Sequence, residues 1–347
     1  MSAHKNVEIK AKAPNGEKIR KYLESHATKK LGVDHQIDTY FNCYDGRLKL
    51  RQGNIENTLI HYKRSNQAGP KVSEVNLFHT KGQPGLKELL RASNGIKVVV
   101  DKHRDIFFID NVKFHIDDVV GLGHFVEIEA IDEFGELGFE HINQQCQYYL
   151  NLFEIKDSEL VEVSYSDLLL EKSRQHRLNL EAEFTSFSER VFSELKSNEI
   201  DYSNFVIDHV CYRVESDQQY QQYVEIFELL GELLGKAEIA GREISTFKLH
   251  KALNYGDRSI DVVELPMPKA KKFYSKGFEH FEFVLDQSFD DFVSSRPQIE
   301  FDLSGVEKTH NPEIRQKLFG GEVSLKFHHT ALEQLVLKES LEASKNA

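Results

Sequence analysis

The sequence predicts an α+β chain of two domains: a sheet with charged faces curled around a channel, followed by a duplicated βαβββ module. Three observations carry this. Asn6–Lys12, Arg47–Arg51 and Phe125–Glu129 bear charges at alternate positions, which on a strand gives one apolar and one charged face. Those charges are sorted by sign, with carboxylates paired on one segment and cations on others. Finally, Phe205–Tyr212 resembles Phe278–Val284, with His209 and His280 71 residues apart, a period suited to a duplicated module rather than a solenoid. The length of 347 residues allows two cores, and the boundaries read as 1–172 and 180–347.

Strands are expected over 6–13, 37–43, 47–52, 58–64, 72–80, 97–103, 105–109, 112–118 and 124–131. Asp45-Gly46 and Asp110-Asn111 are hairpin turns between them. Helices are expected over Asn15–His26, with Asn15 as the cap, and over Phe139–Leu152 after Gly138. Gly121-Leu122-Gly123 reads as a turn rather than a phosphate loop. A charged helix over 164–195 joins the halves without a Pro/Gly linker. Beyond it come a strand near 205–212, a helix over 216–234, and strands near 236–240, 243–249 and 260–265. The repeat supplies a strand at 278–284, a helix at 288–294 and a last strand at 322–328.

A charged strand face is ordinarily a solvated one, but sorting by sign favours another use. A closed sheet with such faces turned inward holds carboxylates for a hard cation and ammonium or guanidinium groups for phosphate. The net charge of −12 and pI near 5.8 speak against nonspecific nucleic-acid or membrane-surface binding. Absence of a signal-like or bilayer-length apolar run, and three scattered cysteines, Cys43, Cys146 and Cys211, point to a reducing cytoplasm.

Glu8-Ile-Lys10, Asp38-Thr-Tyr-Phe41, Gly46-Arg-Leu-Lys49-Leu-Arg51, Tyr62-Lys63-Arg64, Lys102-His-Arg104, His115-Ile-Asp117 and Leu122-Gly-His-Phe125-Val-Glu127-Ile-Glu129 follow one another in order. Together with Ser166-Asp167-Leu168 they resemble the CYTH domain of triphosphate tunnel metalloenzymes. This family includes class IV adenylyl cyclases, thiamine triphosphatases and inorganic triphosphatases. The resemblance implies an eight-stranded antiparallel tunnel-like barrel with flanking helices. It also implies Mg²⁺ or Mn²⁺ held by Glu8, Glu127 and Glu129, which with Asp117 form the catalytic set. Lys10, Lys12, Lys49, Arg51, Arg64, Lys102 and Arg104 are implied as the triphosphate ligands. Asp117 either positions a neighbouring cation or assists the nucleophile. Asn6 stands where the family signature has its first glutamate, which weakens the metal site and allows binding without catalysis.

Asp208-His209, Phe247-Lys-Leu-His250, Val262-Val-Glu264-Leu-Pro266, Gly277-Phe-Glu-His280-Phe-Glu282, Asn311-Pro312 and Leu325-Lys-Phe-His328 resemble the YecM family. Its fold is similar to that of vicinal-oxygen-chelate proteins. That similarity implies a site of His209, Glu264, His280 and His328, at intervals of 55 and 48 residues within the two modules. Such donors suit Zn²⁺, Ni²⁺, Fe²⁺ or Mn²⁺; His250, His329 and Lys326 are alternatives, and packed core histidines are the plain reading.

The leading expectation is a metal-dependent enzyme hydrolysing a small-molecule triphosphate. Cyclisation to cyclic AMP, a noncatalytic nucleotide sensor and metal chemistry in the C-terminal half remain open. No nucleic-acid or membrane partner is expected, and a homodimer is the assembly considered.

Overall fold

The computed structural model describes residues 5–13, 15–64, 73–80, 85–239, 241–309 and 311–338; side chains of Lys5, Arg64, Ser73 and Glu74 lie outside the description. The chain divides into two compact units, Met1–Lys172 and Ser173–Ala347.

The first unit is built on an eight-stranded antiparallel sheet. Its strands are β1 (Lys5–Lys12), β2 (Lys29–Phe41), β3 (Arg47–Gly53), β4 (Asn57–Arg64), β5 (Ser73–His79), β6 (Ile96–Ile109), β7 (Val112–Val119) and β8 (Gly123–Asp132). They are ordered β1-β8-β7-β6-β2-β3-β4-β5. The sheet is a curled half-barrel rather than a hydrogen-bonded closed one: among the described residues β1 and β5 are edges. The two strands expected at 97–103 and 105–109 are one, β6, because Arg104 continues the alternation and pairs with Asp117 across β7. The strand expected from 37 starts at Lys29, long enough to run along all of β6.

Helices α1 (Gly16–His26) and α3 (Phe139–Leu152) cover one face of β1, β6, β7 and β8. Val7, Ile9, Phe107, Phe114, Ile116, Val126 and Ile128 meet Ile19, Leu23, Ile142, Cys146 and Leu150 there. Burying these apolar faces forces the alternate residues, mostly charged, to the concave side. Asn15 precedes α1 as expected but makes no side-chain cap. A helix α2 (Leu86–Asn94), absent from the sequence reading, has no buried residues. Both turns join antiparallel strands: Asp110, with φ 52°, opens the two-residue turn between β6 and β7, and Gly46, with φ 73°, closes the longer loop 42–46 between β2 and β3.

Helix α4 (Tyr165–Ser197) begins in the first unit and supplies the second with Leu180, Phe184, Phe187, Val191 and Leu195. The second unit repeats its topology. Strand β9 (Val206–Arg213), helix α5 (Asp217–Leu230), and strands β10 (Gly231–Glu238), β11 (Glu243–Tyr255) and β12 (Arg258–Pro266) form one module. Strand β13 (Gly277–Val284), helix α6 (Phe289–Ser294), and strands β14 (Phe301–Asp302), β15 (Glu313–Leu318) and β16 (Val323–His328) form the other. Each module pairs its first and last strands in parallel, and β9 and β13 meet antiparallel at the centre. The helix expected over 216–234 ends at Leu230, where Gly231 opens β10. A side chain at Gly231 would meet the Lys248 carbonyl oxygen at 2.3 Å, so glycine is required there for the close strand approach.

Phe114 is fully buried and edge-on to Tyr149 at 4.7 Å. Phe114→Ala is expected to cost the N-terminal unit about 3–5 kcal/mol, read as a lower urea midpoint for its amides in the full-length protein.

Candidate functional site

The concave face of the first sheet encloses a cavity of about 200 Å³. Alternation puts Asn6, Glu8 and Lys10 of β1, Lys113 and His115 of β7, and Glu127 and Glu129 of β8 on its wall. Asp38 and Tyr40 of β2, Lys49 and Arg51 of β3, and Lys102 and Arg104 of β6 complete the charged lining. Ser164 and Tyr165, at the start of α4, also line it.

Asp38 is the hub of one end. It accepts from Lys49 Nζ at 2.9 Å, Lys102 Nζ at 2.7 Å, and Arg51 Nε and Nη2 at 2.8 and 2.9 Å. Burial disfavours its charge, but Arg51, Lys102 and Lys49 outweigh that and hold its carboxyl well below the usual range. The same crowding acts oppositely on Lys102. Burial, with Arg51, Arg104 and Lys49 nearby, pushes its ammonium down to about 7 despite Asp38. Arg51 also donates to Glu56 at 2.7 Å, and Lys113 lies 3.2 Å from the other Glu56 oxygen.

At the other end the carboxylates divide into two kinds. Glu127 is engaged by Lys10 at 3.0 Å, Arg104 at 2.7 Å and His115 Nδ1 at 3.1 Å. Glu129 stands between Glu8 of β1 and Lys113 of β7; burial and the Glu8 charge raise its carboxyl against the pull of Lys113, and Asn6 Nδ2 donates to it at 2.5 Å. Two carboxylates opposite each other on neighbouring strands and lining one cavity fit a hard divalent cation. The residues that would hold it are thus Glu8 and Glu129, whereas Glu127 faces cations. Asn6 occupies the position the family signature gives to glutamate, and its amide takes up an oxygen of Glu129.

Asp117 is fully buried and outside the lining set. Arg104 donates to both its oxygens, at 2.7 and 2.5 Å, and Tyr165 Oη donates at 2.7 Å. This is the bidentate geometry of a residue that fixes a guanidinium. Lys12 continues the β1 alternation but is exposed and does not line the cavity. The side chain of Arg64 lies outside the described residues. Sequence reasoning gave no role to Asp38, Glu56, Lys113 or Tyr165. The alternation Lys113-x-His115-x-Asp117 was a usable signal for that wall; Glu56 and Tyr165 come from a turn and a helix, where strand parity says nothing.

In the second unit, Glu282 of β13 is central. Its Oε1 lies 3.0 Å from His280 Nε2, 3.3 Å from His209 Nε2 and 2.5 Å from Lys326 Nζ; Oε2 lies 3.6 Å from His328 Nε2. Three triples of donors converge: Asp208, His209 and His328; Cys211, Glu264 and His280; His209, Glu264 and Glu282. The expected quartet of His209, Glu264, His280 and His328 is not gathered in one of them. Register explains this. Glu264 pairs with Cys211, two residues beyond His209, and Lys326 pairs with Glu282, two residues beyond His280. Matching the central histidines therefore matches Glu264 to Lys326, not to His328. His250 and His329 are exposed and outside these triples. Glu282 shares a face with His280 through their i, i+2 spacing, a signal present in the sequence. Burial opposes the His209 cation, but Glu282, Asp208 and Glu264 raise its imidazole to about 10.

A family model for the CYTH domain matches residues 4–159, and one for YecM protein matches 176–339. Protein YecM of Escherichia coli is 30% identical over 145 residues, covering 38% of this chain and 77% of that protein. The chain belongs to the YecM family and carries a CYTH domain in its N-terminal half. A Haemophilus influenzae protein without an assigned role is 32% identical over 106 residues, 30% of this chain and 56% of its own. The YecM-family chain thus spans little more than half the length of that relative. MJ0240 of Methanocaldococcus jannaschii, named for a proposed adenylate cyclase activity, is 27% identical over 179 residues, 47% of this chain and 97% of that protein. The solved structure of PH1012 from Pyrococcus horikoshii is 23% identical, covers 47% of this chain and 98% of its own, and gives a TM-score of 0.41. Among the described residues no helix is long and apolar enough to cross a membrane.

Lys102 titrates near 7 when folded and near about 10.4 when unfolded. Between these values the unfolded chain binds the extra proton, so Lys102 makes the N-terminal unit more stable as pH rises from about 7 towards 10. Urea unfolding across that range should show the rise, and Lys102→Met should flatten it.

Proposed function

We propose that the N-terminal cavity binds a triphosphate and promotes divalent-metal-dependent attack upon it, with hydrolysis as the leading reaction. The observation that carries this is the convergence of Lys49, Arg51 and Lys102 on the single carboxylate of Asp38. That end holds more cation than its own acid neutralises, and a polyanion supplies the missing charge. Lys10 and Arg104 extend the same wall towards Glu8 and Glu129. Arg104 is pre-aimed by Asp117, which lowers the ordering cost of gripping a phosphoryl oxygen. A divalent cation at Glu8 and Glu129 would supply charge neutralisation at the reacting phosphoryl group. The cavity walls would hold the chain of phosphates in one direction. The name of the archaeal relative keeps adenylyl cyclisation as the alternative outcome.

The test is incubation of full-length protein with ATP, thiamine triphosphate or tripolyphosphate and Mg²⁺ or Mn²⁺, scoring phosphate, pyrophosphate and cyclic AMP. Phosphate release is expected, and Glu129→Gln should lower it about 10²- to 10³-fold. Cyclic AMP as the main product would replace hydrolysis by cyclisation. Tight ATP binding without any product would leave a sensor.

A second reading concerns the C-terminal cluster. Both nitrogens of His328 are buried without a hydrogen bond among the described residues, and such imidazole nitrogens suit Zn²⁺, Ni²⁺, Fe²⁺ or Mn²⁺. His209, beside it with Asp208, would join by giving up the proton that Glu282, Asp208 and Glu264 favour. Lys326 competes, since its ammonium already neutralises Glu282. Calorimetric titration with Zn²⁺ should show one site, lost in His209→Ala; wild-type protein that takes up no metal overturns this reading.

A further inference from the structure

His115 lies in the middle of β7, on the face shared by Lys113 and Asp117. Its ring is 4% exposed and lines the cavity. The two ring nitrogens meet different surroundings. Nδ1 is 3.1 Å from Glu127 Oε2. The same oxygen receives Arg104 Nη2 at 2.7 Å, and Lys10 holds the other at 3.0 Å. A carboxylate gripped by two cations is ionised and only accepts hydrogen bonds, so Nδ1 carries the hydrogen that points at Glu127. Nε2 is buried and has no hydrogen-bond partner among the described residues. Arg104 bonds the same Glu127 oxygen and Lys113 stands two residues away on the same strand face, so the buried ring sits among cations. A second ring hydrogen would have no acceptor among the described residues. With hydrogen on Nδ1, Nε2 of that neutral ring is a lone pair.

A lone pair is the wrong partner for a phosphate oxygen, which is itself an acceptor. The phosphate-facing groups of the cavity, Lys10, Lys49, Arg51, Lys102 and Arg104, are donors. Nε2 calls for an O–H. We propose that His115 Nε2 accepts a hydrogen bond from the attacking hydroxyl and so aims that oxygen at the phosphorus. In hydrolysis the hydroxyl belongs to water; in cyclisation it belongs to the substrate's sugar. Glu127 and Arg104 act through the ring as positioning residues, fixing its tautomer from the far side. This inference rests on the reading of the cavity as a reactive triphosphate site.

Two substitutions separate the halves of the imidazole. Asparagine places its amide near Nδ1 and keeps a donor for Glu127, while losing the acceptor at Nε2. Glutamine reaches the position of Nε2 with an amide oxygen. On whichever triphosphate wild-type protein turns over, His115→Asn is expected to lower kcat by about 10²-fold or more, with KM and tripolyphosphate affinity unchanged. His115→Gln should recover part of the loss. Imidazole ¹⁵N spectra of the full-length protein, with the Asn variant locating the His115 signals, should show the Nδ1–H tautomer. The opposite tautomer overturns the inference, as does a raised KM with unchanged kcat. Wild-type turnover with an unaffected His115→Asn variant defeats this inference and spares the cavity reading. Wild-type protein that attacks none of the triphosphates defeats both.

Discussion

Asp38 accepts from Lys49, Arg51 and Lys102 at 2.7–2.9 Å in a buried site, and the first unit is arranged around that imbalance. One buried carboxylate cannot satisfy three cations, so Glu56 is drawn in from a turn to take Arg51 and Lys113. Further along, Asp117 and Glu127 divide Arg104. Buried charge survives only where each ion is paired and hydrogen-bonded. The concave face therefore carries shared networks, one around Asp38 and Glu56 and one around Arg104, rather than a set of separate ion pairs. It keeps a reserve of positive charge at the Asp38 end.

The apolar face of the same strands makes this arrangement affordable. Phe107, Phe114, Val126 and Ile128 are sealed against α1 and α3, which holds the sheet's register. A one-residue slip would send the charged set into the helices. The second unit applies the same rule in another geometry. Parallel pairing of first and last strands in each module brings Glu264, Glu282, Lys326, His209 and His280 together around the central β9–β13 pair. The duplication is exact in topology but not in chemistry, since Lys326 stands where the first module has Glu264. An ammonium beside Glu282 supplies internally the charge that a metal would otherwise bring.

Strand parity explains which parts of this were legible in the sequence. Glu8-x-Lys10, Lys49-x-Arg51, Lys102-x-Arg104 and Glu127-x-Glu129 declare a common face because a strand repeats every two residues, and those residues do share one cavity, with Lys12 left exposed past its end. The division of labour among them was not legible. Glu127 and Glu129 are indistinguishable by spacing, yet one is bonded by Lys10 and Arg104 and the other stands between Glu8 and Lys113. Cross-strand neighbours decide that. The same limit applied to His328, which matched Glu264 by interval but not by register.

The sequence by itself determined the two-part α+β organisation, the charged strand faces, the repeated module and the substitution of Asn6. All of these are periodic or positional properties of one chain segment, set by local backbone geometry. Only the tertiary structure decided which carboxylates are held by cations and which face another carboxylate across a strand pair. It also locked Asp117 onto Arg104 and Tyr165, put Glu282 at the centre of the second cluster and left His115 Nε2 without a hydrogen-bond partner among the described residues. Those outcomes depend on register between strands distant in sequence, and on burial that strengthens each pairing once water is excluded.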